Sequence, residues 1–450
     1  MKRELFGTDG IRGVAGEYPL DPATMYATGV ALGKWMAGRH SDAEAVIGMD
    51  TRESGPWIAR HVAAGLADSG AKARFAGLIT TPGVAYLART EAFAAGVMIS
   101  ASHNPYKDNG VKVLDHSGFK LPDATEHAIE QDIFAALESG AAGGEAALEV
   151  DESLDAKYLD YLASTYPGRL DGMTMIVDAA HGSASYIGPA LFERLGARVT
   201  AIASSPNGRN INLGCGSLHL ENLRQRVLEA GADIGIGFDG DADRALFVSH
   251  SGKIVDGDAV MLLTGVHMKA AGKLADREGR SEVVATVMSN LGLEKALARH
   301  GIAMLRTPVG DKYVLEEMER RGAKLGGEQS GHVIFRDYAT TGDGLLTALR
   351  VLEAVRSSRK SLDELTAELV VFPQLLVNVR VKARRPMAEL PRGNEAIRRA
   401  EAEWDGSGRV LVRFSGTELL ARVMVEGPEQ GQVERLAHGI AGVLKDELGG

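Results

Sequence analysis

Three aspartates stand at alternate positions in Phe238-Asp239-Gly240-Asp241-Ala242-Asp243-Arg244, directly after the run Ala232-Asp233-Ile234-Gly235-Ile236-Gly237. In extended chain, side chains two apart point the same way. The spacing therefore predicts that Asp239, Asp241 and Asp243 converge on one hard cation, with Gly240 and Ala242 leaving room for the ion and a bulky ligand. A carboxylate set with open positions suits Mg²⁺, which often holds phosphate as well. Arg244 adds a forked donor for phosphate oxygens.

Four more loops carry chemistry. Ser100-Ala101-Ser102-His103-Asn104-Pro105 follows the strand-like run at 96–100, and a rigid loop there displays a serine able to carry a phosphoryl group. In Asp108-Asn109-Gly110-Val111-Lys112, the lysine can return to the same loop, although a lone lysine is usually solvated. Gly327-Glu328-Gln329-Ser330-Gly331-His332 groups a carboxylate, an amide, a hydroxyl and an imidazole, a set suited to a polyhydroxylated ligand. In Arg413-Phe414-Ser415-Gly416-Thr417-Glu418, followed by Arg422, small residues let backbone N–H groups approach an anion between two fixed cations. Phe6-Gly7-Thr8-Asp9-Gly10-Ile11-Arg12-Gly13 has the same character, with Arg12 as the cation. Each loop alone reads equally well as a polar turn bonding its own backbone; five in one chain do not.

These loops need strands to hold them. Helical patterns and short apolar strands alternate along most of the 450 residues, which predicts α/β architecture with largely parallel sheets. Helices are expected at 23–38, 57–69 and 361–369, and strands at 45–49, 96–100, 173–177 and 282–287. A linker rich in Ala, Gly and Glu spans 138–149, and after Pro373 a smaller unit of strand, helix, strand and helix is expected. A net charge of -10 argues against a nucleic-acid partner, though local Arg and Lys can still gather an anionic small substrate. The single cysteine, Cys215, excludes an internal disulfide, reads as structural and fits a reducing compartment. The first residues have no apolar core of a signal peptide, and no run has the length of a membrane span, so the expected location is cytoplasmic, without a membrane partner.

With these loops in this order, the chain resembles the α-D-phosphohexomutases over nearly its full length. That family also has a serine loop, an Asp-Gly-Asp-x-Asp-Arg metal loop, a Gly-Glu-x-Ser-Gly sugar loop and a C-terminal Ser-Gly-Thr phosphate loop. The resemblance implies three similar mixed-sheet α/β domains and a smaller C-terminal α+β domain around a central cleft. Their expected bounds are 1–150, 151–252, 253–368 and 374–450. It further implies that Ser102 is the phosphorylated serine and joins Asp239, Asp241 and Asp243 around one Mg²⁺. Lys112 is implied as the general acid/base, with Arg12, Arg244 and His332 in the catalytic set. Glu328 and Ser330 would bind sugar hydroxyls, and Arg413, Ser415, Gly416, Thr417 and Arg422 the distal phosphate. The expected reaction moves phosphate between O6 and O1 of glucosamine through a hexosamine 1,6-bisphosphate, for cell-wall precursor synthesis; the glucosamine preference rests on Gln329 and its surroundings. Mannose or glucose phosphates remain as alternatives, as does a non-catalytic sugar-phosphate sensor, which would need neither Ser102 nor the triad; a homodimer is left open. The chain departs from the family at Leu419, where proline is usual, and at Phe414 and Ala421.

Overall fold

The computed structural model describes residues 4–7, 9–140, 143–383, 385–404, 406–414 and 419–449. These divide into two compact units: Met1–Met288 with Met304–Thr366, and Ser289–Ala303 with Ala367–Gly450.

The first unit holds three sheets. Among the described residues, the first has six strands in the order Phe6–Gly7, Gly10–Val14, Asp108–Asp115, Ala95–Ile99, Glu44–Met49, Lys72–Leu78. Glu44–Met49 pairs in parallel with both Ala95–Ile99 and Lys72–Leu78, while the remaining neighbours run antiparallel. Every residue of Ala95–Ile99 is buried. Covered on both faces, such a strand reads as a continuous apolar run, and Val97 and Ile99 each contribute about 1.5–3 kcal/mol by leaving water. Helices pack on this sheet, and their starts are legible. Asp21 caps Pro22–Ala37 by accepting from Thr24 N, and Thr80 caps Thr81–Thr90 by accepting from Gly83 N. Both helices carry proline at the start, where no N–H is missed.

The second sheet runs Ile254–Val255, Ala245–Ser249, Ile234–Phe238, Thr174–Asp178, Arg198–Ile202, and the third runs Ala303–Thr307, Glu282–Thr286, Leu325–Gly327, Val333–Phe335. Both are mixed, as expected of three similar α/β domains.

The N-terminal segment is tied down by one buried side chain. Glu130, on the helix Asp123–Glu138, accepts the backbone N–H groups of Glu4 at 3.0 Å, Leu5 at 2.7 Å and Phe6 at 3.1 Å. Ile11 then sits in register with Val111. The chain thus carries Asp9 and Arg12 beside the strand that bears Lys112.

The second unit departs from the expected element count. Gln374–Arg380, Leu420–Glu426 and Arg409–Phe414 form an antiparallel sheet in that order, and Pro391–Trp404 and Gln430–Leu448 supply its helices. A strand therefore stands on each side of residues 415–418, and among the described residues the unit has three strands where two were expected. Phe414 faces Ala421 in register, and Ala421 is fully buried in a core with Val423, Trp404 and Leu444. The expected helix at 361–369 is only Leu362–Leu365, closed at its start by a capping box of Ser361 and Glu364. Leu291–Arg299 belongs to this unit: Leu291 N donates to Glu426 at 2.8 Å, and Asn290 exchanges hydrogen bonds with the backbone of Phe372. No helix among the described residues is long and apolar enough to cross a membrane.

Candidate active site

The chemical side chains of the first unit gather where strands end. Asp50 follows Glu44–Met49, Thr81 follows Lys72–Leu78, Ser102 follows Ala95–Ile99 and Asp239 follows Ile234–Phe238. Ligands of α/β sheets collect at this carboxyl edge.

Asp239, Asp241 and Asp243 each present an oxygen, and these lie within 4.8 Å of one another, all three residues being buried. They converge for a reason other than extended alternation. The strand stops at Phe238, and the chain then turns, with Ala242 N donating to Asp239 O and Ala242 left-handed at φ 56°. The role expected of Gly240 also changes. A β-carbon there would meet the Ser102 carbonyl, so its smallness admits the serine loop and not a ligand.

Ser102 Oγ donates to Asp239 Oδ2 at 2.5 Å. Its backbone is left-handed, φ 51°, a conformation costing a non-glycine residue roughly 1–2 kcal/mol. Three hydrogen bonds enforce it. Ser102 N donates to Ser100 Oγ at 2.9 Å, and its carbonyl accepts from Asn212 Nδ2 at 2.9 Å and Arg52 Nη2 at 3.1 Å. Arg52 is paired with Asp50, which also accepts from Ser100 Oγ at 2.5 Å.

Lys112 is not the solvated lysine its surroundings in sequence suggest. It is 2% exposed, with Nζ 2.8 Å from Asp241 Oδ2, 3.1 Å from Asp9 and 3.5 Å from Asp243. Burial works against its charge, but Asp241, Asp9 and Asp243 outweigh burial and hold the ammonium well above the ordinary lysine value. Thr81 Oγ1 donates to the same Asp241 Oδ2. Asp241 Oδ1 and Asp243 Oδ1 are buried and receive no hydrogen bond among the described residues. Burial, reinforced by Asp243 and Asp241, pushes the Asp239 carboxyl well above the usual range. Three crowded hard oxygen donors with two unpartnered atoms fit a divalent cation such as Mg²⁺.

His332 lies beside the triad. Its Nε2 accepts from Gly342 N at 3.0 Å, which leaves the neutral ring's proton on Nδ1, 3.7 Å from Asp243 Oδ2. Burial lowers its basicity, yet Asp243 prevails and the imidazole stands above its ordinary value. Arg244 takes the other side of Asp243, Nε to Oδ1 at 3.8 Å, and Arg12 is paired with Asp9. Glu328 accepts from Gly310 N at 3.1 Å, and Ser330 Oγ is buried with no hydrogen-bond partner among the described residues. Gln329 Nε2 is engaged by Asp256 Oδ2 at 3.1 Å.

Arg413 and Arg422 face each other in register in the second unit, where burial and the charge of Arg422 lower the Arg413 value. Ser415, Gly416 and Thr417 lie outside the described residues. Sequence reasoning did not single out Asp9, Asp50, Arg52, Thr81 or Asn212. The sequence does offer a signal for the middle three: Asp50-Thr51-Arg52 and Thr80-Thr81-Pro82 each follow an apolar strand, as the serine loop does.

Family profiles for phosphoglucomutase/phosphomannomutase match the chain in four parts: alpha/beta/alpha domain I at 3–139, domain II at 156–252, domain III at 256–371 and the C-terminal domain at 376–443. A phosphoglucosamine mutase of Solibacter usitatus is 60% identical over 449 residues, covering 100% of both chains. The chain belongs to the phosphoglucosamine mutase family of phosphohexomutases. A second phosphoglucosamine mutase, from Koribacter versatilis, is 51% identical over 99% of this chain and 98% of its own. Among solved structures, a Burkholderia thailandensis phosphoglucomutase/phosphomannomutase family protein shares the fold of this phosphohexomutase at a TM-score of 0.81 and 22% identity, over 98% of this chain and 97% of that one. The N-acetylphosphoglucosamine mutase of Aspergillus fumigatus, solved with GlcNAc-6P and magnesium, shares it at 0.65 and 18%, over 99% and 96%.

Proposed function

We propose that this phosphohexomutase interconverts glucosamine 6-phosphate and glucosamine 1-phosphate, with Ser102 as the phosphoryl carrier. The observation that carries the reading is the meeting of Ser102 Oγ with Asp239 at 2.5 Å, inside a triad of buried carboxylates and beside the buried Lys112 ammonium. Phosphate monoesters react very slowly without a catalyst, and enzymatic phosphoryl transfer depends on positioning and charge.

Phosphorylated Ser102 gives its phosphoryl group to the free hydroxyl of the sugar phosphate, making a 1,6-bisphosphate. The bisphosphate turns over, and Ser102 Oγ takes the other phosphoryl group back. Asp239, Asp241 and Asp243 would hold Mg²⁺. Bound there, the ion supplies positive charge to a phosphoryl oxygen. Lys112 and His332 stand beside the triad as proton carriers for the attacking and leaving sugar oxygens. Arg244 and Arg12 steady the phosphoryl oxygens, Glu328 and Ser330 read sugar hydroxyls, and Arg413 and Arg422, with the turn 415–417, take the phosphate that is not being transferred. The working domains in this reading are 1–150, 151–252, 253–368 and 374–450.

The test is a coupled assay with the 6-phosphates of glucosamine, glucose and mannose, after priming with a hexose 1,6-bisphosphate. Glucosamine 6-phosphate is expected to have the highest kcat/KM. A clear preference for mannose 6-phosphate would overturn the substrate assignment, and no turnover of any of the three would overturn the mutase.

A further inference from the structure

Two side chains outside every motif described above complete a pattern around the triad. Lys120 is half-buried between two carboxylates, its Nζ 2.5 Å from Asp9 and 2.5 Å from Asp311. Asp311 Oδ2 is in turn 3.6 Å from His332 Nε2. His332 Nδ1 is 3.7 Å from Asp243, Asp243 is 3.5 Å from Lys112, and Lys112 is 3.1 Å from Asp9. Followed around, Lys112, Asp9, Lys120, Asp311, His332 and Asp243 form a closed ring in which basic side chains alternate with carboxylates.

The ring joins five separate stretches of the sequence, at 9, 112–120, 243, 311 and 332. Asp9 comes from the N-terminal loop, Lys120 from the turn after Asp108–Asp115, and Asp311 from the first turn of the helix Asp311–Arg321. Lys112 and His332 flank Asp243 in it, and each touches the metal triad there. Lys120 and Asp311 touch no member of the triad; they hold what holds Lys112 and His332. They also line a cavity of about 380 Å³, with Phe119, Leu315 and Ile334 on one part of its wall and Lys312, Glu316 and Glu319 on another. Burial works against the Lys120 charge, but Asp311 and Asp9 outweigh it and keep the ammonium above its ordinary value.

We propose that Lys120 and Asp311 are positioning residues for phosphoryl transfer: by closing this ring they fix where the Lys112 ammonium and the His332 imidazole stand relative to Asp239, Asp241 and Asp243. Without Lys120, Asp9 has only Arg12 and Lys112 as partners and draws Lys112 away from Asp241. Asp311, also released, is free to shift from its place beside the Nε2 edge of His332. Both proton carriers are then misplaced while the triad itself is untouched. Misplacements of about 1 Å can cost on the order of a hundredfold in rate.

The inference rests on the mutase reading, and the experiment separates the two. Removing one partner of a half-buried pair leaves the other charge uncompensated, so the principal variant is the neutral pair Lys120→Met with Asp311→Asn. Three quantities are measured beside wild type: melting temperature, Mg²⁺ affinity by calorimetry, and kcat with KM for glucosamine 6-phosphate. The expected result is kcat lowered at least tenfold, with KM and Mg²⁺ affinity within threefold of wild type. Wild-type kcat would overturn the proposal. So would a parallel loss of kcat, KM, Mg²⁺ affinity and melting temperature, the mark of a purely structural bridge. If the double variant does not fold, Lys120→Arg keeps the charge in altered geometry; kcat lowered at least threefold at unchanged KM sustains the proposal, and unchanged kcat overturns it. If wild type itself does not turn over the sugar phosphate, the mutase reading has failed, and the ring is tested by the rate of phosphoryl transfer from glucose 1,6-bisphosphate to Ser102, read by intact mass.

Discussion

Thr81→Val isolates one hydrogen bond behind the metal site. Thr81 Oγ1 and Lys112 Nζ both donate to Asp241 Oδ2, so Oδ1, which has no hydrogen-bond partner among the described residues, is the oxygen left for a cation. Valine keeps the shape of threonine and removes only the donor. A hydrogen bond to a charged group is worth about 1.5–3 kcal/mol. If between half and all of that energy fixes the Asp241 carboxylate for the ion, the loss in binding is roughly 1–3 kcal/mol. At 1.4 kcal/mol per decade, the Mg²⁺ dissociation constant rises about 5- to 100-fold, the range in which outer-shell partners of metal ligands usually act. Thr81 N, 3.0 Å from Asp241 O, still holds the backbone, so the melting temperature should change little. The assay is Mg²⁺ calorimetry on the dephosphorylated protein, with Thr81→Ser as the control that restores the donor. Valine and serine variants both within threefold of wild type would refute the reasoning and leave Lys112 as the only orienter of Asp241.

Three further outcomes are expected. Ser102→Ala should lose nearly all turnover and acquire no phosphoryl group from a hexose 1,6-bisphosphate by intact mass; full activity, with Ser100 excluded as a substitute by peptide mapping, would end the carrier assignment. Arg422→Ala should lose at least about tenfold in kcat/KM, mainly through KM, as expected for one charge-assisted contact to a remote phosphate; wild-type kinetics would remove the C-terminal unit from substrate binding. Burial pushes the Asp343 carboxyl up to about 6, against hydrogen bonds from Leu346 N and the Tyr158 hydroxyl. The folded state therefore holds a proton that the unfolded chain releases near pH ~3.9, so this stabilisation is full below that pH and is lost as pH rises through about 6. Asp343→Asn should remove a pH-dependent difference of roughly 3 kcal/mol between those limits, read from melting of variant and wild type across the range; parallel curves would refute it.

Much of this molecule is legible in its sequence, though not always for the reason first given. Alternation picked out Asp239, Asp241 and Asp243, yet they converge through a turn with a left-handed Ala242, which no period of two describes. Apolar runs located Ala95–Ile99 and Ile234–Phe238 because burial on both faces leaves no polar positions to interrupt them. The C-terminal unit reads as two strands where it has three, because Arg409–Phe414 and Leu420–Glu426 are parted by only a few residues. The helix expected through 369 stops at Leu365: its capping box fixes a start, and Thr366 is buried with its carbonyl and hydroxyl engaged by Lys253. Lys120 and Asp311 lie in turns of ordinary composition, 191 residues apart, and only the folded chain brings them together.

The clamp by Glu130 sets an order on the making of the protein. Phe6 leaves the ribosome 124 residues ahead of Glu130, which at about 5–20 residues per second is an interval of roughly 6–25 s. The partner strand Asp108–Asp115 also arrives late in that interval. Asp9 and Arg12 are thus among the first residues synthesised and among the last of their domain to be seated. Nascent chains arrested before the helix Asp123–Glu138 has emerged should present this leading segment to proteases, and chains arrested well beyond it should not.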